Sequence, residues 1–279
     1  MTPNCLRFLT GLLLAAALAW PVQAQQTGPT ELTFGSVAMD VPAAMHQRLK
    51  PLTDYLSHAL KRPVALKLSP ELSAAADDVA TGKVDIAYLT PVAYIKAHKK
   101  GDVRLVAKTI TKGERSFRLM LVVRHDSPIK KVHDLAGKNF AFGDQAAILQ
   151  RAIVVNAGIK LEELGSYKFI GHYDNIARGV ANGDFDAGIL KDTTSFEWEK
   201  KGLRVIHASP QLPPYNIVVG RHVSEPLYRK IKEAFLALKA SNPRHMEVIK
   251  LLDPSYDGFA PVTDAEYDVV RKLVKPFEM

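Results

Sequence analysis

Cysteine is almost absent: Cys5 is the single one in 279 residues, and it stands ahead of an apolar stretch close to the N-terminus. From Gln25 onward there is no thiol, which excludes disulfide staples, thiolate metal sites and a cysteine nucleophile from that part of the chain. Long hydrophobic runs are missing too. The apolar stretch Phe8–Trp20 falls short of the about 20 residues that cross a bilayer. Preceded by Arg7 and followed by Val22-Gln23-Ala24, it reads as a secretory signal over residues 1–24, cleaved after Ala24. An exported chain without disulfides must hold together by burial alone, and this one is long enough for one large or two modest cores.

Dense basic runs with interleaved aromatics are lacking, although the formal net charge is +8. The expectation is therefore no nucleic-acid partner, with the charge serving solubility and a mild attraction to anionic surfaces. His46, His58, His98 and His125 are scattered and form no HExxH, so neither a metal site nor a cofactor is expected. GxSxG, P-loop and GxGxxG motifs are equally missing, and the chain is read as a non-enzyme.

What is present is a phrase that occurs twice. VATGKVDIAYL runs from Val79 to Leu89 and VANGDFDAGIL from Val180 to Leu190. Each copy reads as the last turn of a helix, a Gly that permits a left-handed exit, and a short buried strand. Two such halves predict two α/β lobes. Ligands of open α/β sheets collect beyond the carboxyl ends of the strands, which directs attention to the residues after Leu89 and Leu190.

Around the repeats the pattern alternates. Strands are predicted at 31–37, 64–68, 103–109, 117–124, 139–142 and 167–170, and helices at 42–60, 71–80, 92–98, 146–156, 176–182, 227–239, 245–252 and 264–274. Pro51 is expected at a boundary or kink of the first helix. Two crossings near Phe117 and Tyr215 insert the second βα series into the first. The predicted domains are residues 25–117 with 217–279 for the first lobe and 118–216 for the second, closing on a ligand by a hinge.

The order of VDIAYLTPVAYIKAH, FRLMLVVRHDSPI, VHDLAGKNFAFGD, FIGHYDNIARGVANGDFDA and PPYNIVV resembles the periplasmic solute-binding proteins of phosphate, phosphite and phosphonate uptake systems. The resemblance implies a type II binding-protein fold, each lobe a mixed sheet flanked by helices, with the ligand cleft between lobes. It also implies a periplasmic location and delivery to an ABC importer. Tyr94 matches the family's tyrosine after the first-lobe repeat. The family's Ser-Thr-Ser-Gly-like loop after the strand ending at Phe142 is replaced by GDQAAIL, and its His before Asp is Tyr173, with His172 one place earlier.

Residues expected around the ligand are Met39, Thr90, Tyr94, Arg115, Ala147, Ile148, His172, Tyr173, Lys191 and Tyr215. Thr90 reads equally as a helix cap, Asp174 as the N-cap of its helix, and Asp85 and Asp186 as structural turn residues. Asp144 reads as the N-cap of the helix after Phe142, its carboxylate filling the positive end of the dipole. At ~4 Å and an effective dielectric of about 20, it would repel a bound anion by about 4 kcal/mol. The Ala-Ala-Ile-Leu stretch behind it offers apolar surface. The expected ligand is accordingly an apolar or amphiphilic molecule such as a lipid or sterol. The alternatives are a phosphate- or phosphonate-type oxyanion held by Tyr94, Arg115, Tyr173 and Lys191, and a sensor that presents its ligand to a membrane receptor. The expected partner is an inner-membrane permease or receptor, and the expected state is a monomer.

Overall fold

The computed structural model describes residues 31–36, 42–68, 74–145 and 147–277. The signal segment and Met39 lie outside the described residues. The strands are β1 Leu32–Ser36, β2 Val64–Leu68, β3 Ile86–Leu89, β4 Arg104–Thr111, β5 Leu119–Arg124, β6 Asn139–Phe142, β7 Ser166–Phe169, β8 Ala187–Lys191, β9 Leu203–Ala208, β10 Asn216–Val219 and β11 Tyr256–Ala260. The helices are α1 Pro42–Leu60, α2 Ala74–Ala80, α3 Pro91–Gly101, α4 Ile148–Asn156, α5 Tyr173–Asn182, α6 Asp192–Glu199, α7 Glu225–Ala237, α8 Pro243–Leu252 and α9 Asp268–Val274.

The strands form two mixed sheets, ordered β11-β4-β10-β3-β1-β2 and β7-β6-β8-β5-β9. Apart from the extra edge strand β11, the orders are equivalent. In each sheet the strand that follows a crossing is inserted antiparallel: β10 between β3 and β4, and β5 between β8 and β9. Both insertions carry a register shift, at Ile217/Val218 and at Leu121/Val122. The crossings pair with each other, Phe117 N donating to Leu212 O at 3.0 Å and Leu212 N to Phe117 O at 2.8 Å.

The repeat has a mechanical reason. Thr33 N donates to Asp85 Oδ2 at 2.7 Å, and Asn139 N donates to Asp186 Oδ2 at 2.8 Å. In return the Asp85 and Asp186 amides donate to the carbonyls of Thr33 and Asn139. Each aspartate therefore ties the entry of the central strand to the start of its parallel neighbour. Gly82 and Gly183 turn the chain out of the preceding helices at φ 77 and 85.

Helix α1 keeps Pro51 inside it. An interior proline removes a hydrogen bond and clashes with a carbonyl, at about 3 kcal/mol. Met45, Leu49, Leu52 and Leu56 are buried along the same helix and offset it, each contributing roughly 1.5–3 kcal/mol. Strands β9, β10 and β11 and helix α6 were not predicted. Helix α6 buries only Ser195 and has almost no apolar stripe to read. Tyr256–Ala260 holds Gly258 at φ 138 and becomes a strand only by pairing with β4.

The two sheets are joined by more than the crossings. Helix α9 packs on α4 of the second sheet as well as α3 of the first, and Asn156 Nδ2 donates to Leu273 O at 3.1 Å. Among the described residues no helix is long and apolar enough to cross a membrane.

Candidate functional site

Where β3, β8 and the returning crossing meet, tyrosines converge. Tyr215 stacks on Tyr88 with ring centroids 5.1 Å apart, and the Tyr88 and Tyr256 hydroxyls are 2.6 Å from each other. From the second lobe comes Tyr173, the first residue of α5, whose hydroxyl accepts from Gln150 Nε2 at 3.4 Å. Burial raises the Tyr215 hydroxyl above the ordinary tyrosine range, with Tyr256, Tyr173, Asp253 and Asp144 reinforcing the shift. Burial likewise raises Tyr173. Both phenols stay protonated and can donate.

Lys191 ends β8 beside this cluster. Its burial lowers the ammonium below the usual lysine range; Asp192 and Asp253 pull it back up and Lys112 presses it down. Among the described residues no carboxylate forms an ion pair with Lys191, whose described contact is the Phe117 ring at 5.6 Å. The neighbouring carboxylates are occupied elsewhere. Asp192 accepts from Arg118 N at 2.7 Å and Thr193 N at 2.8 Å, and Asp253 Oδ1 accepts from Ser255 N at 2.7 Å and Ser255 Oγ at 2.6 Å. A half-buried ammonium that feels nearby carboxylates but forms no ion pair with them keeps its donors available to an anion.

The structure thus brings Tyr173 near Tyr215, and Asp253 acts on both Tyr215 and Lys191, with His172 exposed beside Tyr173 as the N-cap of α5. It does not gather the rest. Tyr94 is fully buried, donates to Asp264 Oδ1 at 2.6 Å and packs on Tyr267 at 4.5 Å, because its face of α3 turns towards the C-terminal segment. Thr90 caps α3, accepting from Ala93 N at 3.1 Å. Arg115 is exposed on the crossing. Ala147 is the N-cap of α4, and Ile148 lines a separate groove of about 250 Å³ with Val92, Ile95, Val274 and Phe277.

Two local expectations are corrected. Asp144 is not the N-cap residue of α4: the helix begins later, its N-cap is Ala147, and Ala147 N donates to the backbone carbonyl of Asp144 at 3.0 Å. Asp174 lies inside the first turn of α5, where it accepts from Trp198 Nε1 at 3.4 Å. Sequence reasoning missed Tyr256, Asp253 and Gln150. Gln150, buried in α4, also accepts from Gly143 N at 2.7 Å, and nothing in its sequence neighbourhood marks it.

The profile of the family described as "ABC transporter, phosphonate, periplasmic substrate-binding protein" matches residues 34–267. The chain belongs to that family. It is 25% identical over 289 residues to the phosphonates-binding periplasmic protein of Escherichia coli, covering 97% of this chain and 83% of that one. It is 22% identical over 295 residues to a phosphate-import protein of Mycolicibacterium smegmatis, covering 94% and 91%. A binding protein of Prochlorococcus marinus, solved in complex with methylphosphonate, superposes with a TM-score of 0.72 at 17% identity, covering 90% of this chain and 99% of that one. The fold is that of a type II periplasmic binding protein. The family implies a periplasmic solute-binding component of an ABC importer, a small-molecule ligand and a permease partner.

The lipid- or sterol-like ligand expected from the sequence finds no support in these relatives. Its two premises also fall in the structure. The N-cap of α4 is Ala147 rather than Asp144, and of the expected apolar wall Leu149 belongs to the core while Ile148 faces the separate groove.

Proposed function

We propose that this chain captures a phosphate- or phosphonate-type oxyanion between its lobes and delivers it to an ABC permease. The observation that carries the reading is Lys191, half-buried and without an ion pair among the described residues, with Asp253 acting both on it and on Tyr215, whose hydroxyl, like that of Tyr173, stays protonated. The two named relatives import phosphate and bind phosphonates. Lys191 and the phenols take the place of the hydroxyl-rich loop that this chain lacks. The lobes, assigned as residues 25–117 with 217–279 and 118–216, close about the crossings, and the protein works as a monomer in the periplasm.

Isothermal titration with phosphate, phosphite and methylphosphonate tests the reading. At least one of the three binds, and Lys191→Met weakens it by about 10- to 100-fold, the worth of a charge-assisted hydrogen bond. Heat from none of them, or equal affinity in the variant, would overturn it.

A further inference from the structure

The oxyanion reading leaves unexplained a groove of about 480 Å³ at the junction of β4, the first crossing and α6. Lys191 stands on its wall, so the groove opens directly from the proposed anion anchor. Phe117 and Phe196 line it as well. Phe196 is 54% exposed, a large apolar ring left in water beside a cavity. Thr111 also lines the groove, and its hydroxyl is buried without a hydrogen-bond partner. Lys112 and Lys200 complete the rim, Lys112 already paired with Glu197.

We infer that this groove receives the organic body of the ligand, so that the protein prefers an organophosphonate or phosphate monoester with an aromatic or extended apolar group over inorganic phosphate and methylphosphonate. The inference rests on the oxyanion reading, because it places the head group at Lys191. Size supports it: pockets of about 300–1,000 Å³ suit ligands far larger than methylphosphonate. Chemistry supports it as well. The groove offers aromatic faces for an apolar body and the cations Lys191, Lys200 and Lys201 for an anion, with the carboxylates of Glu114, Asp192 and Glu197 also on its wall. An aromatic body between Phe117 and Phe196 would cover the ring that now faces solvent.

The test is titration of the full chain with methylphosphonate and with phenylphosphonate, in the wild type and in Phe196→Ala. Phenylphosphonate is expected to bind at least tenfold more tightly to the wild type, and the variant to lose most of that ratio while keeping its affinity for methylphosphonate. Because Phe196 is exposed, its truncation leaves the core intact. A nuclear Overhauser contact between the ligand's ring protons and Phe196 gives an independent readout. Methylphosphonate binding as tightly as phenylphosphonate, or a ratio unchanged in the variant, would overturn the inference and leave the oxyanion reading standing. Binding of neither compound to the wild type would overturn the inference, and the oxyanion reading falls with it only if phosphate and phosphite give no heat either.

Discussion

Replacing Lys191 with Met separates two consequences of one burial. In the ligand-free protein the buried ammonium opposes folding, and its lowered pKa makes that penalty full below the folded-state value and relieved as pH rises towards the ordinary lysine range. Lys191→Met is therefore expected to raise the melting temperature of the ligand-free protein by a few degrees while weakening anion binding, a stability–function trade-off that differential scanning calorimetry reads directly. Binding carries the opposite pH dependence. Since the anion needs the charged ammonium, affinity for methylphosphonate measured between about pH 8 and 10.5 falls as Lys191 deprotonates, earlier than a free lysine near 10.4 would give. Lys191→Arg, charged throughout, removes that fall. The type of residue was visible in the sequence, since a lysine directly after the second repeat invites attention. Its lack of a partner was not, because Asp192 sits next to it and its carboxylate is diverted to Arg118 N and Thr193 N only by the fold.

At the scale of elements, the repeated aspartates explain why the two halves share a phrase. Asp85→Ala or Asp186→Ala leaves strand-entry donors without their acceptor, and each is expected to cost about 1–3 kcal/mol in urea denaturation. Asp85 adds a pH signature. Burial pushes its carboxyl up, but the hydrogen bonds from Thr33 and His222 outweigh this and hold it below the usual aspartate range. Its stabilising contribution is present above the unfolded-state value near 3.9 and lost as pH falls through the lower folded-state value. Removing Asp85 should therefore flatten the stability profile below about pH 4, as acid titration followed by circular dichroism would show. The repeat strands and most helices were legible because burial stamps a period on them. Strands β10 and β11 were not, since four or five residues acquire strand character only from long-range antiparallel partners.

At the scale of the molecule, the links between the lobes among the described residues include the paired crossings, α9 lying on both α3 and α4, and the Lys112–Glu197 ion pair at 2.9 Å. The ion pair joins the end of β4 to α6 across the hinge, with both side chains more than half exposed. Exposed pairs are worth about 0.2–1 kcal/mol and are screened by salt. Glu197→Gln is expected to raise the ligand dissociation rate by a factor of about 1.5 to 5 at low ionic strength and to have no effect in 1 M salt, as stopped-flow measurements would resolve. Small-angle scattering should in turn show a smaller radius of gyration when an oxyanion is added.

Sequence by itself determined the two α/β halves, the crossings and the family, because periodic burial, glycine exits and strand-tying aspartates are local devices written into contiguous residues. Tertiary structure alone decided which polar groups remain for a ligand. Tyr94 was absorbed by Asp264, Thr90 by its own helix and Asp192 by backbone amides, whereas Lys191 was left without an ion pair among the described residues. Whether a side chain is already satisfied depends on partners far away in the chain, and no local pattern records them.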